Sequence, residues 1–371
     1  MTCRHGPYRF RRVDTPSLRR GWTTGACATA GTRAAAMALL TGQFPDPCTI
    51  RLPGGQEAAF ALAETRLLPN AAMAAVVKDA GDDPDVTHGA LIRATVSRGD
   101  TGSGILFRAG PGVGQVTLPG LPIPPGEPAI NPVPRRMMTE ALEAVSTEAG
   151  VGCDWVVDIG VDDGERLAEK TLNPRLGIRG GLSILGTTGI VIPFSCSAWI
   201  DSIHRGVDVA RALNLSHVAA ATGRTSEEAV QALYGLPEQA LIDMGDFAGG
   251  TLKYLKRHPV PRVTIAGGPA KMTKLAQGRL DLHSKRGAVD ATELAAIARG
   301  IGADAALTEA IANANTTLHA FELATNLPLA AAIAARAHAV AQDVLGDAPI
   351  ALDIVIFDRT GQVMARHGQL S

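Results

Sequence analysis

Between residues 217 and 277, three short apolar runs alternate with three helix-like ones, and this alternation leaves few folds open. His217–Gly223, Gln239–Gly245 and Arg262–Gly267 read as strands, being short, apolar and bounded by glycine. Ser226–Tyr234, Phe247–Arg257 and Ala270–Gln277 read as helices. Strand–helix units in succession imply a parallel sheet with helical crossovers. The three runs end in Thr222-Gly223-Arg224, Met244-Gly245-Asp246 and Gly267-Gly268-Pro269. Ligands of open α/β sheets sit outside the carboxyl ends of the strands, so the three turns are expected to line one crevice. Turns of this composition also serve as plain connections. Helices between Asp290 and Leu345 and a last strand, Ala351–Asp358, complete this half.

The first half has another rhythm. Thr23–Leu40 is an Ala-rich helix opened by Thr-Thr-Gly. The hydroxyls of Thr23 and Thr24 and the free amides there suit a carboxylate or phosphate, and equally suit simple capping. Strands follow at Cys48–Leu52 and Ala58–Ala63, joined by the hairpin signal Pro53-Gly54-Gly55, then at Met73–Lys78, Gly89–Arg98, Ile105–Ala109 and Gln115–Leu118. Pro134 opens a helix, Arg135–Thr147, whose first turn carries Arg135 and Arg136. Cations are disfavoured at a helix N-terminus, which points either to an anionic ligand or to plain solvent exposure. Asp154–Val161 reads as a strand, Gly164–Thr171 as a short helix, and Ser197–Leu213 as the helix that closes the half. Between the last two lies Leu176–Ser195, whose glycines suggest backbone pressed against a ligand or another strand. The expected architecture is a strand-rich α+β domain over residues 1–215, followed by a Rossmann-like parallel α/β domain over residues 216–371.

The densest chemistry lies at Lys78–Gly89, KDAGDDPDVTHG. Gly81, Pro84 and Gly89 make it a loop, and the apolar flanks hold it at an edge or mouth. Clustered carboxylates raise one another's pKa, as general acid–base work needs; a solvated acidic turn is the plainer alternative. A helix–loop–helix calcium site is excluded, because His88 stands where glycine is required and Ala94 where glutamate is.

Aromatic residues make up only 4% of the chain, so core volume must come from Ala, Val, Leu and Ile. Net charge is −1, without the basic excess of a nucleic-acid binder. Cys3, Cys27, Cys48, Cys153 and Cys196 are odd in number and widely spaced, which argues against a disulfide framework and a zinc site. Met1–Arg20 lacks the apolar centre of a secretory signal. Leu327–Val340 is interrupted by Arg336 and His338 and is not a membrane span. A cytoplasmic, reduced protein is expected.

Five stretches carry a resemblance: LRRGWTTGACATA at Leu18–Ala30, VVKDAGDDPDVTHGA at Val76–Ala90, INPVPRRMM at Ile130–Met138, EKTLNPRLGIRGGLSILGTTGIVIPFS at Glu169–Ser195 and MGDFAGG at Met244–Gly250. Together they resemble the cobalt-precorrin-5B C(1)-methyltransferases of cobalamin biosynthesis, the CbiD type. The resemblance implies methyl transfer from S-adenosylmethionine to carbon 1 of cobalt-precorrin-5B, a tetrapyrrole, giving cobalt-precorrin-6A. Cobalt would travel with the macrocycle, so no protein metal site is implied; oligomerisation is compatible with it. The donor is then expected at Gly223, Asp243, Gly245, Asp246, Gly267 and Gly268, with Asp243 or Asp246 accepting bonds from ribose hydroxyls. Arg135, Arg136, Arg175 and Arg179 would clamp substrate carboxylates, and Thr23, Thr24, Lys78, Thr187 and Thr188 belong to the same substrate side. Asp82, Asp83 and His88 are the candidate acid–base residues.

One loop departs from the family pattern. Members carry Gly-His-x-Gly-Lys after the third strand, where this chain has Gly267-Gly268-Pro269-Ala270-Lys271. The His-Ser-Lys core that follows is kept at His283-Ser284-Lys285. Two other functions fit the crevice: a nicotinamide-dependent reductase, against which the missing GxGxxG counts, and a non-catalytic corrinoid carrier, which would need the arginines but not the acidic loop.

Overall fold

The computed structural model describes residues 18–284 and 287–368; Cys3 and Lys285 lie outside them. The fold is mixed α/β, and contacts group the chain into two units. One comprises residues 18–106, 133–162 and 184–194; the other comprises 107–132, 163–183 and 195–368.

The first unit is built on an antiparallel sheet. Ala71–Val77 pairs with Glu64–Leu67 on one side and with Leu91–Arg98 on the other, and Leu91–Arg98 pairs in turn with Trp155–Val161. The helix Thr24–Thr41 packs on this sheet and is buried along most of its length. Its small residues permit that: a Cβ on Gly31 would lie 3.0 Å from the Ala74 carbonyl oxygen. The hairpin Cys48–Arg51 with Glu57–Phe60 forms as its sequence suggests. Glu64–Leu67 was not expected as a strand, because all four residues are exposed and show no apolar alternation. The second helix of this unit starts at Pro132, two residues before Pro134, and runs to Ala149. Its Ser146 hydroxyl accepts a 2.8 Å bond from the indole of the fully buried Trp155.

The second unit holds a five-stranded sheet in the order Leu241–Asp243, His217–Ala221, Arg262–Gly267, Ala351–Phe357, Val363–Gly368. The first four strands are parallel and the last is antiparallel. Numbered along the chain, that order is 2-1-3-4-5, so strand order reverses beside His217–Ala221. Register aligns the carboxyl ends: Ala221 lies opposite both Asp243 and Ala266, and Gly267 opposite Ile356. Both faces are covered, as buried parallel strands require. Arg224–Tyr234 covers a small cluster containing Ala219, Val230, Val355 and Phe357. The other face carries the main core, to which Leu329–Leu345 contributes Ile333 and Ala337.

The helix Cys196–Ala212 belongs to this second unit, not to the first half of the chain. Its Ile203, Val207 and Ala210 share a core with Ile242, Met244 and Val263. A single boundary at 215/216 therefore does not describe the division; apolar contact, not chain order, assigns this helix. No described helix is long and apolar enough to cross a membrane.

Candidate functional site

In the first unit, three of the motif stretches are stitched together by their backbones. Trp22 N–H donates to the Asp79 carbonyl at 2.7 Å, and Asp82 N–H to the Arg19 carbonyl at 3.0 Å. Gly21–Trp22 forms a short antiparallel ladder with Ile190–Val191. Thr23 N–H donates to Gly189 and Gly25 N–H to Leu185, each at 3.0 Å. No side chain fits between the first two segments. A Cβ on Gly21 would lie 2.1 Å from the Ala80 carbonyl carbon, and one on Gly81 2.2 Å from the Arg19 carbonyl oxygen. The start of the arginine-bearing helix reaches the same place, where a Cβ on Gly25 would meet the Pro134 ring at 2.7 Å.

Within the Lys78–Gly89 loop the charges are paired. Lys78 is fully buried, and its ammonium lies 2.6 Å from Asp85 Oδ2. Asp85 Oδ1 accepts from the Thr87 N–H at 2.8 Å and from its hydroxyl at 2.6 Å. Burial pushes the Asp85 carboxyl up, but the Lys78 charge and these bonds outweigh it and hold it below the usual range. Asp79 is held down to about 2 by the Arg19 guanidinium and the Gly81 N–H. The expected raising by mutual repulsion is thus not what these two carboxylates undergo, because each has its own cation.

The three candidate acid–base residues all carry backbone bonds. Asp82 Oδ2 accepts from the Arg19 N–H at 2.6 Å, and Asp83 Oδ1 from the Phe194 N–H at 2.8 Å. His88 Nδ1 accepts from the Ala80 N–H at 3.1 Å. That bond leaves the proton of a neutral imidazole on Nε2, so the exposed His88 ring presents a donor rather than a base. Thr23 Oγ1 caps its helix by accepting from Ala26 at 3.2 Å. Thr24 Oγ1 accepts from Leu185 N–H at 2.9 Å, and Thr188 Oγ1 from Ile190 N–H at 3.2 Å; Thr187 is exposed beside it. The hydroxyls of Thr23, Thr24 and Thr188 therefore secure the glycine-rich segment and the helix start.

Sequence reasoning missed two residues here. Arg19 lies inside a motif that was noticed, yet its pairing with Asp79 spans 60 positions and leaves no local signal. Phe194 is 68% exposed and adopts φ +56°, a conformation rare for a bulky side chain. No periodicity marks such a residue.

In the second unit the glycine turns gather at the carboxyl ends of the parallel strands. Gly223 and Gly268 precede the helices Arg224–Tyr234 and Pro269–Ala276, and among the described residues neither helix start has a side-chain cap. A Cβ on Gly223 would meet nothing within 4 Å, and one on Gly268 only the Phe357 carbonyl at 4.0 Å. Gly245 adopts φ +57° beneath the indole of Trp199. A Cβ on Gly267 would lie 2.6 Å from Met272 Sδ and 2.7 Å from Thr222 Oγ1, so this glycine lets its strand end pack against the following helix and the end of the neighbouring strand. Burial and the nearby Glu227 raise the Asp243 carboxyl above its ordinary value, against the pull of Arg175 and Lys271.

Lys271, the lysine kept in the altered loop, was not anticipated as a site residue. Its ammonium lies 2.5 Å from the Thr222 carbonyl and 3.0 Å from Asp246 Oδ1. It bridges the ends of the first two strands from the helix after the third, where strand order reverses.

The four arginines divide between the units. Arg135 is half-buried, and the exposed Arg136 lies 3.8 Å from Glu140. Arg179 is exposed on the short strand Ile178–Arg179, paired with Gln115–Val116. Arg175 does not stand ready for a substrate carboxylate. It grips Glu227 with two bonds of 2.9 and 2.8 Å, so its fork is already matched. A void of about 10 Å³ beside Arg175, Ile203 and Asp243 has room for roughly one water. Among the described residues, no group of three or more His, Cys, Asp or Glu is arranged to hold a metal ion.

Comparison with known proteins adds what geometry does not. The CbiD family profile matches residues 11–193, and the profile of the CbiD C-terminal domain matches residues 281–368. A protein of Agrobacterium fabrum named cobalt-precorrin-5B C(1)-methyltransferase is 62% identical over 95% of this chain and 94% of its own length. The chain belongs to the CbiD family. A second CbiD-type relative, from Paramagnetospirillum magneticum and of the same name, is 60% identical over 95% of this chain and 99% of its own. A crystal structure of a cobalamin biosynthesis protein (CbiD) from Archaeoglobus fulgidus shares 29% identity, covering 72% of this chain and 83% of that one, with a TM-score of 0.40.

Proposed function

We propose that this chain methylates carbon 1 of cobalt-precorrin-5B, using S-adenosylmethionine as donor. The observation that carries this reading is identity of about 60% over nearly the whole chain to relatives bearing that enzyme name. The bound donor supplies a methyl group on a sulfonium, and the residues of the chain have to hold and align it.

The second unit is the reading's donor domain, Rossmann-like in its parallel order. Its strand ends suit the donor: Gly223 and Gly268 leave open space, two helix starts offer N–H groups, and Asp243 is an acidic acceptor at the edge. Asp243 or Asp246 accepts the ribose hydroxyls, while Gly245 and Gly267 keep the backbone close. The first unit handles the macrocycle. Arg135 and Arg136 at the helix start there receive its carboxylates. Methyl transfer depends chiefly on in-line alignment, which is worth about 7–11 kcal/mol. The bonded state of Asp82, Asp83 and His88 therefore favours positioning over proton abstraction. Cobalt, where present, arrives with the substrate.

Incubation of the purified protein with cobalt-precorrin-5B and methyl-labelled S-adenosylmethionine tests the reading. Label is expected on carbon 1 of the macrocycle. Binding of NADPH with no transfer would replace the transferase by a reductase, and binding of the macrocycle alone would leave a carrier.

A further inference from the structure

Trp199 is not needed by the core that its helix joins. Cys196–Ala212 is anchored by Ile203, Val207, Val209 and Ala210, all buried, whereas Trp199 is 46% exposed. Its ring is nevertheless fixed. Nε1–H donates to the Asp243 carbonyl at 3.1 Å. Its Cζ2 and Cε2 atoms lie so close over Gly245 that a Cβ there would come within 3.2 and 3.3 Å of them. Phe247 flanks it, with centroids 6.2 Å apart and planes tilted by 48°. A large ring held by its N–H against a glycine has a set plane and a half-bare surface, the arrangement that receives a flat apolar partner.

Its position names the partner. Asp243 ends the edge strand, and Asp246 follows the turn over which the indole lies. A sugar whose hydroxyls reach these carboxylates carries its base within one ring's length, so the base comes to the indole. We propose that Trp199 stacks on the adenine ring of the methyl donor and selects for the nucleoside half of it. The inference rests on the reading that the donor occupies these strand ends. Gly245 then has a second purpose, since a Cβ there would press on the indole and shift it by a few tenths of an ångström.

Binding of S-adenosylhomocysteine, adenosine and methionine is measured by calorimetry and tryptophan fluorescence on the full chain, Trp199→Phe and Trp199→Ala. Circular dichroism checks the fold. S-adenosylhomocysteine is a neutral thioether, so attraction between a sulfonium and the ring does not contribute. Trp199→Ala is expected to weaken S-adenosylhomocysteine and adenosine by about tenfold or more, while Trp199→Phe keeps most of the affinity and methionine binding is unaltered. Quenching by adenosine should vanish in both variants, although Trp22 and Trp155 remain. Equal affinity of a folded Trp199→Ala and the wild type would overturn the role of Trp199 and leave the donor reading standing. Failure of the wild type to bind S-adenosylhomocysteine would remove both.

Discussion

Asp83 Oδ1 accepts a 2.8 Å hydrogen bond from the backbone N–H of Phe194, 111 positions further along the chain. The bond holds an exposed aromatic residue in a left-handed conformation. An amide oxygen can accept the same bond, so Asp83→Asn is expected to keep both fold and turnover. Asp83→Ala removes the acceptor and should lower turnover with little effect on donor affinity. Steady-state kinetics on the two variants decide the matter. A drop on the order of 10²-fold in Asp83→Asn would instead mark a general base.

Lys78 and Asp85 form a buried pair, and such pairs are asymmetric in their consequences. Removing one partner leaves the other charge without compensation. Asp85→Asn is expected to cost about 3–5 kcal/mol in urea unfolding, whereas Lys78→Met combined with Asp85→Asn should recover part of that loss. Equal stability of both variants would contradict the pairing.

His217 makes stability depend on acid. Burial and the charge of Arg262 hold its pKa down to about 4, against an ordinary value of 6.5, with Asp353 opposing them. Its Nε2 lies 2.8 Å from the Thr264 hydroxyl. Above about 6.5 the ring is neutral in both folded and unfolded chains, and its contribution is complete. As pH falls from about 6.5 to about 4, the unfolded chain takes up a proton that the native ring refuses, and stability declines. His217→Gln should flatten the melting temperature across that window, as a calorimetric pH series will test.

Arg175 and Glu227 grip each other within the second unit. Arg175→Ala is therefore expected to lower the melting temperature and to leave the Michaelis constant for the tetrapyrrole nearly unchanged. Arg136→Ala should do the reverse, because its guanidinium is exposed and only loosely approached by Glu140. Kinetics and thermal denaturation of the two variants compare them directly. A raised Michaelis constant in Arg175→Ala would return that residue to the substrate site.

The parallel sheet was legible because each strand–helix unit declares itself locally. Arg262–Gly267 was read to the residue, and His217–Ala221 within two. Its antiparallel edge, Val363–Gly368, escaped notice because only Ala365 is buried and no alternation survives. The acidic loop was legible as a place but not as chemistry. A count of aspartates suggested repulsion, while the cation that lowers the Asp79 carboxyl, Arg19, and the backbone N–H that Asp83 engages, at Phe194, lie 60 and 111 positions away. Composition likewise marked the glycines of the strand ends without revealing that Trp199 lies over Gly245. Local pattern carries secondary structure; long-range pairing carries charge state.

Gly21 and Gly81 face each other's chain segments at distances no side chain can share. The two positions are consequently not independent under substitution. Alanine at either one must force the segments apart, and once they are apart the second alanine has little left to disturb. The double variant is expected to cost clearly less than the sum of the single ones, the non-additivity of neighbours in one contact. A lineage that lost one glycine would thus feel weakened selection on the other, and the two would be kept or lost together.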